Sequence, residues 1–240
     1  MSQKFLGKNF KEYASGNSGS LDRIQRNISK KSFGHDYWNA YEFSYVDKKS
    51  SPTLKVLEIL ISANSPYTVE SKSLKIYLNS FYKKKFTNES GVLMKIKKDL
   101  DKLTQSEIKI KFINSFQEAP ECLVLNSCKS LKTKANNPIC FRGFRSICPV
   151  TSQPDYANIY ILTDALIDVK WLKKFLFSFK EKGEFHEQCI QDIFETISTK
   201  YSSSSLEVAG RFMRRGGIDI NPIRSNKKKI QFKNFRFFNQ

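Results

Sequence analysis

Two side chains in the segment Ser146-Ile-Cys148-Pro-Val-Thr-Ser-Gln-Pro-Asp155-Tyr156 have the types needed for covalent chemistry. A thiolate at Cys148 attacks an electrophilic carbon, and a carboxyl group at Asp155 hands the developing anion a proton. The two stand 7 positions apart in a segment rich in turn formers. The plain alternative is equally concrete. A free cysteine is commonly a small buried hydrophobe, and an aspartate after Pro154 is commonly a turn residue.

Three further segments carry candidate binding groups. Val69-Glu-Ser-Lys-Ser-Leu-Lys75 precedes an apolar helical stripe, which places Glu70, Ser71 or Ser73 near a helix N-terminus. Such a residue either caps the helix or belongs to a site where free N–H groups accept an anion, with Lys72 adding charge for a phosphate. Phe185-His-Glu-Gln-Cys189 begins like a zinc-binding H-E-x-x-H, but Ile190 stands at the second histidine position. What remains is a His186–Glu187 pair in a first helical turn. Its carboxylate either caps the helix or accepts two N–H bonds from an amidine-like edge, as on a guanine-type base. Arg214-Arg-Gly-Gly-Ile-Asp-Ile-Asn-Pro-Ile-Arg-Ser225 sets arginines beside glycines. That pattern suits a phosphate approaching the backbone, a fragment of RNA-binding character, or a β-turn with exposed basic residues. No G-x-G-x-x-G occurs in the chain, which argues against a Rossmann cofactor domain.

Composition narrows the classes. A chain of 240 residues with 40% hydrophobic content can bury a real core as one large domain or two small ones. Its start, MSQKFLGKNFKEY, has no apolar h-region, and no apolar run reaches the roughly 18 residues of a membrane span. We expect no signal peptide and no membrane. Five cysteines without a C-x-x-C argue against a disulfide framework and for a reducing cytoplasm. Two histidines, His35 and His186, argue against a zinc site, so the metal expectation is none. A net charge of +18 fits either a polyanionic partner or a lysine-rich solvated surface.

The elements that must position these residues follow from periodicity. Tyr37–Tyr45, with Tyr41, Phe43 and Tyr45 alternating, and residues 54–62 read as strands. Leu74, Tyr77, Leu78 and Phe81 mark a helix, as do Leu93, Ile96, Leu100 and Leu103. Ile108, Ile110 and Phe112 alternate with lysines in a half-exposed strand. The order then repeats: strands at 141–150 and 158–163, a helix through Leu172, Phe175, Leu176 and Phe179, a helix through Ile190, Ile193, Phe194 and Ile197, and a strand at 205–213. Loops are expected at 14–20 and 47–52, and a link at 126–140. The expected class is α+β, with two antiparallel sheets that each carry a helix pair.

Taken together and in this order, the four segments resemble the NADPH-dependent 7-cyano-7-deazaguanine reductases of queuosine biosynthesis, in their longer two-module branch. The matching stretches are VESKSLKIYLNS from Val69, CPVTSQPDY from Cys148, FHEQC from Phe185 and RRGGIDINPIRSN from Arg214, with Leu6-Gly-Lys8 and Trp38–Tyr45 also fitting. The resemblance covers most of the chain and is weakest at 9–35 and 116–140.

It implies tandem tunnelling-fold modules, each an antiparallel sheet with two helices on one face, over 1–125 and 126–240, with the active site between them. It implies a nitrile oxidoreductase that converts 7-cyano-7-deazaguanine to 7-aminomethyl-7-deazaguanine with two NADPH. In that scheme Cys148 forms a covalent thioimide and Asp155 protonates the nitrile-derived nitrogen. Val69, Glu70, Ser71, His186 and Glu187 contact substrate, while Ser71, Lys72, Arg215 and Gly216 contact NADPH. Partners would be the small-molecule substrate and a second copy in a homodimer, with no direct nucleic acid. Departures are Ile147 before the nucleophile, where polar residues are common in the family, and Ile223 in place of a frequent Trp. Two readings compete. One is a non-catalytic basic RNA-binding module, and the other is pterin or purine chemistry on the same fold. The latter commonly needs a metal and further His/Cys ligands, which this chain lacks.

Overall fold

The structure is a computed structural model that describes residues 21–28, 32–128, 132–133 and 137–240. The Leu6–Lys8 match, the 14–20 loop and parts of the 126–140 link lie outside the described residues.

In the first half, β1 (Arg23–Gln25) is followed by two long strands, β2 (Phe33–Val46) and β3 (Pro52–Ser62), and by the short β4 (Tyr67–Val69). Helices α1 (Ser71–Asn79) and α2 (Glu89–Thr104) come next, then β5 (Lys109–Ile113). The second half has β6 (Leu123–Val124), β7 (Lys132–Thr133), β8 (Ile139–Ile147), β9 (Pro154–Thr163) and β10 (Ile167–Asp168). Helices α3 (Val169–Phe177) and α4 (His186–Lys200) follow, and β11 (Leu206–Phe212) and β12 (Ile218–Ser225) close the chain's regular structure. The α+β class is as expected. No described helix is long and apolar enough to cross a membrane.

The expectation of two sheets needs correction. The long strands form one eight-stranded sheet in the order β5-β3-β2-β12-β11-β9-β8-β6. The join is β12, which pairs with β11 on one side and along its whole length with β2 on the other, from Ile218↔Ala40 to Ser225↔Phe33. The arginine–glycine segment hides this strand from a reading of periodicity. Residues Ile218–Ser225 are buried throughout, and the alternation of Ile218, Asp219, Ile220 and Asn221 breaks down over Pro222, Ile223, Arg224 and Ser225, so polar and apolar types both occur on each face. Gly34 makes the β2–β12 contact possible. A Cβ built there would lie 2.1 Å from the Ile223 carbonyl oxygen.

Helices cover one face. In the first half Trp38, Leu57, Ile59 and Ile61 meet Leu74, Leu78, Ile96 and Leu100. In the second, Phe144, Ile159 and Val208 meet Leu172, Leu176, Ile190 and Ile193. Each helix buries one apolar stripe, as an amphipathic helix on a sheet must. A register shift between Ala40 and Phe43 changes one expectation for β2. Phe43 and Tyr45 join the helix-side core, whereas the Tyr41 hydroxyl donates to Asp219. The opposite face is partly covered by the C-terminal segment, whose Phe232 and Phe235 pack on Tyr37 and Tyr160.

Candidate active site

The geometry starts from the β8–β9 turn. Ile147 pairs with Pro154 and Ser146 with Asp155, so the turn between the strands holds Cys148 near Asp155. Strand β8 ends at Ile147, short of the expected residue 150, because the chain turns at Cys148. The Cys148 N–H donates to the Gln153 carbonyl at 2.9 Å and the Ser152 N–H donates to the Cys148 carbonyl at 3.0 Å. Partial burial would raise the thiol pKa. Donation to sulfur from the Thr151 hydroxyl and from the N–H groups of Thr151 and Val150 outweighs it, so the thiol sits below its ordinary value. Cys140 and Cys189, by contrast, are pushed up to about 12 by burial.

Asp155 is buried at the start of β9. His186 Nε2 lies 3.2 Å from its Oδ2, and the Arg215 guanidinium donates to its Oδ1. Burial pushes this carboxyl up, yet the hydrogen bonds and charges of His186 and Arg215 prevail and hold it below the usual range. The His186 ring is stacked on Phe212 at 3.9 Å, and its Nδ1 is buried with no hydrogen-bond partner.

The same cavity is walled by the starts of two helices. At α1, Glu70 is the N-cap, accepting from the N–H groups of Lys72 at 2.8 Å and Ser73 at 2.6 Å. Of the two roles open for this segment, capping is therefore filled by Glu70. At α4 the N-cap is Phe185, with no side-chain cap bond, and Glu187 lies inside the first turn, where its carboxylate accepts from its own backbone N–H. Glu187 is buried and accepts from the Thr68 hydroxyl at 3.3 Å. Burial raises its pKa, and Asp36 adds to the rise, while Arg26 and His186 oppose it.

The cavity, of about 240 Å³, gathers Val69, Glu70, Ser71, Lys72, Cys148, Asp155, His186, Glu187 and Arg215 around one space. Gly216 stands apart from that lining. It sits with Gly217 in the two-residue turn between Arg215 and Ile218, both with positive φ (58° and 76°). The β-turn reading of this segment thus holds, since both central positions of such a turn favour glycine. A Cβ on Gly216 would come within 3.3 Å of the Lys75 side chain. The site also includes Trp38 and Lys75, which lie in the matching stretches without an expected role, and Thr68, which has no local signal in the chain. The Phe212 ring under His186 is another.

Cations crowd one side of this space. Lys75 is lowered by burial and then by Arg215, while Glu70, Cys148 and Asp155 pull the other way. Together with Lys72 and Arg215 it makes a cluster of positive charge suited to a phosphate group.

Comparison with known proteins agrees with this arrangement. Residues 18–112 match the family model described as nitrile reductase, 7-cyano-7-deazaguanine-reductase N-term, and residues 154–231 match that of QueF-like protein. An NADPH-dependent 7-cyano-7-deazaguanine reductase of Buchnera aphidicola is 36% identical over 80% of this chain and 82% of its own length. The chain belongs to the NADPH-dependent 7-cyano-7-deazaguanine reductase family. A reductase of that name from Coxiella burnetii is 34% identical over 87% of this chain and 82% of its own. Another from Desulfotalea psychrophila is 34% identical over 86% and 83%. The two regions matched by the reductase family models carry, between them, the α1 and α4 walls of the cavity.

Proposed function

We propose that this protein is an NADPH-dependent nitrile reductase that converts 7-cyano-7-deazaguanine to 7-aminomethyl-7-deazaguanine, a step of queuosine biosynthesis. The observation that carries the reading is the convergence, in one cavity, of a thiol that accepts hydrogen bonds from its own turn, a buried carboxylate and a second carboxylate on a helix start. Family membership supplies the substrate class.

The chemistry follows from the residues. Glu187 accepts the N–H edge of the deazaguanine base, with His186, Val69, Glu70 and Ser71 lining the rest of its pocket. Cys148 attacks the nitrile carbon, forming a C–S bond and a thioimide. Asp155 stands as a carboxylate in the free protein, so it gains the proton lost by the thiol and delivers it to the nitrile-derived nitrogen. A nitrile is a poor hydride acceptor, and covalent attachment converts it to a better one. Ser71, Lys72 and Arg215 would hold NADPH, with Gly216 keeping the adjoining turn tight against Lys75. When bound, NADPH supplies hydride. The reading extends to two tunnelling-fold modules at 1–125 and 126–240, their sheets merged through β12, and to a cytoplasmic homodimer.

Incubation with 7-cyano-7-deazaguanine, without NADPH, is expected to add the mass of one substrate to the wild-type chain and nothing to Cys148→Ala. A wild-type protein whose Cys148 is alkylated by iodoacetamide, yet forms no adduct, overturns the assignment.

A further inference from the structure

Glu187 stands in a wall shared by two cavities. On its far side lies a second hollow of about 540 Å³, whose lining includes Arg26, Thr68, Gln191 and Arg224. Beneath it is a buried charge cluster drawn from three distant parts of the chain. Asp36 on β2 is fully buried and accepts from two guanidiniums, those of Arg26 and of Arg224, the latter at 2.7 Å. Arg224 Nε also donates to Gln191 at 2.8 Å, one turn beyond Glu187 on α4. The Arg26 side chain is 7% exposed and its Nε is buried without a hydrogen-bond partner. Its backbone N–H donates to the Pro66 carbonyl at 3.0 Å, beside the strand whose Thr68 donates to Glu187.

Charge balance makes the point. Two buried guanidiniums face one aspartate, which leaves one positive charge without a counter-ion in a region screened from water. An unbalanced buried charge is strongly destabilising. Among the described residues, the carboxylate that acts on Arg26 besides Asp36 is Glu187, whereas Glu184 and Asp192 on the rim are engaged by Lys182. Arg26 and Glu187 attract one another as well as their closer partners. We propose that Arg26 is the fixed counter-charge of Glu187, a positioning residue that keeps this carboxylate an acceptor and so sets the cavity's preference for a base edge bearing N–H donors. The proposal rests on the reading of the cavity as a 7-cyano-7-deazaguanine site.

The sign of the pH effect follows. Burial and Asp36 push Glu187 up, and Arg26 and His186 pull it down. Arg224 is held by Asp36 and Gln191, while Lys182 is engaged by Glu184 and Asp192 on the cavity rim. Removing the Arg26 charge therefore raises Glu187 further. A protonated Glu187 turns one acceptor oxygen into a donor facing the donors of the base, so binding fails at the lower pH and returns as pH rises.

The test uses calorimetric titration of 7-cyano-7-deazaguanine into the full chain carrying Cys148→Ala, which stops covalent capture. Adding Arg26→Gln is expected to weaken binding about 30-fold at about pH 6 and less than about threefold at about pH 9, whereas Arg26→Lys stays within about threefold at both. A loss of equal size at both pH values, or no loss, overturns the proposal. Thermal unfolding of Arg26→Gln, Glu187→Gln and the double variant gives a readout free of ligand. Loss of one charge should largely cancel the penalty of losing the other, including the case where Arg26→Gln folds only with Glu187→Gln. Strict additivity overturns the pairing. If the Cys148→Ala chain with Arg26 intact binds no 7-cyano-7-deazaguanine at any pH, the substrate reading fails, and the unfolding cycle still decides whether Arg26 and Glu187 are partners.

Discussion

The starts of α1 and α4 put a glutamate each into the wall of one cavity, yet the two carboxylates do different work. Glu70 spends its oxygens on the N–H groups of Lys72 and Ser73. The interaction is local and gives the helix the cap that its first turn requires. Glu187 takes only its own backbone N–H from its helix and reaches the Thr68 hydroxyl on β4, at the edge of two cavities. A carboxylate already saturated by backbone donors has little left for a ligand. One that is buried, charge-balanced and under-bonded has lone pairs to offer and a fixed direction in which to offer them. The same residue type, at the N-cap of α1 and inside the first turn of α4, is thus a structural cap in one half and, in the proposed function, a recognition group in the other. The deciding difference is where the donors lie, both in the following helical turn for Glu70, and only one within its own helix for Glu187.

The comparison is sharpest under one substitution made twice. Glu187→Gln keeps the shape but replaces one acceptor with a donor. It is expected to weaken binding of 7-cyano-7-deazaguanine about 100-fold, the size of a lost pair of charge-assisted hydrogen bonds. Glu70→Gln keeps one acceptor for the cap. It is expected to cost less than about tenfold in affinity and about 1 kcal/mol of stability, seen as a melting temperature lower by a few degrees. Calorimetry and thermal unfolding of the two variants measure both effects. Equal losses of affinity would break the distinction between the two helix starts.

Asp155 extends the contrast within the α4 side. Its folded-state pKa is depressed, so the stability it contributes is present above the unfolded aspartate value and is lost as pH falls through the folded value. Asp155→Asn is expected to cost about 2 kcal/mol near pH 7, because Arg215 and His186 lose their anionic partner. The difference between wild type and variant should shrink below about pH 4 in urea unfolding. A difference that stays constant with pH would mean that the ion pairs carry none of the effect. The same variant should lose reductase turnover while remaining folded.

What could be read beforehand divides along the same line. Helices α1 to α4 and strands β2, β3, β5, β8, β9 and β11 follow from periodicity or from a short apolar run, because each carries an apolar stripe or face into one of the two cores between sheet and helices. The side chains of the cavity lay in short segments whose residue types carry chemistry. Strand β12 did not show itself, since Asp219, Asn221 and Arg224 are polar yet buried; Asp219 meets Tyr41 and Asn39 and Arg224 meets Asp36, all from the far end of the chain. The cluster of Arg26, Asp36 and Arg224 was invisible for the same reason. No spacing rule connects the end of β1 with β2 and β12; the β2–β12 pairing brings Asp36 to Arg224, and the β1–β4 pairing with the Arg26 N–H bond to Pro66 holds Arg26. Thr151 was in view within the Cys148 segment, but its function depends on the direction of a turn.

That turn supplies the smallest of these effects. Thr151 donates to the Cys148 sulfur through its hydroxyl as well as its backbone N–H. Thr151→Val keeps the shape and the N–H but deletes the hydroxyl, so the remaining donors must hold the thiolate against the opposing push of burial and of the Asp155 carboxylate. The thiol pKa rises toward its ordinary value and the thiolate fraction at neutral pH falls. Iodoacetamide alkylation of Cys148 at about pH 7 should slow about threefold, and the difference should vanish above about pH 10, where both proteins are fully ionised. The glutamates provide the control. Glu70→Gln, across the cavity on α1, should leave the alkylation profile where it is, because Glu70 is engaged by its own helix. If Glu70→Gln moves the profile as far as Thr151→Val does, the thiolate is tuned by the field of the whole cavity rather than by its own turn. The division between a capping side and a reacting side would then dissolve.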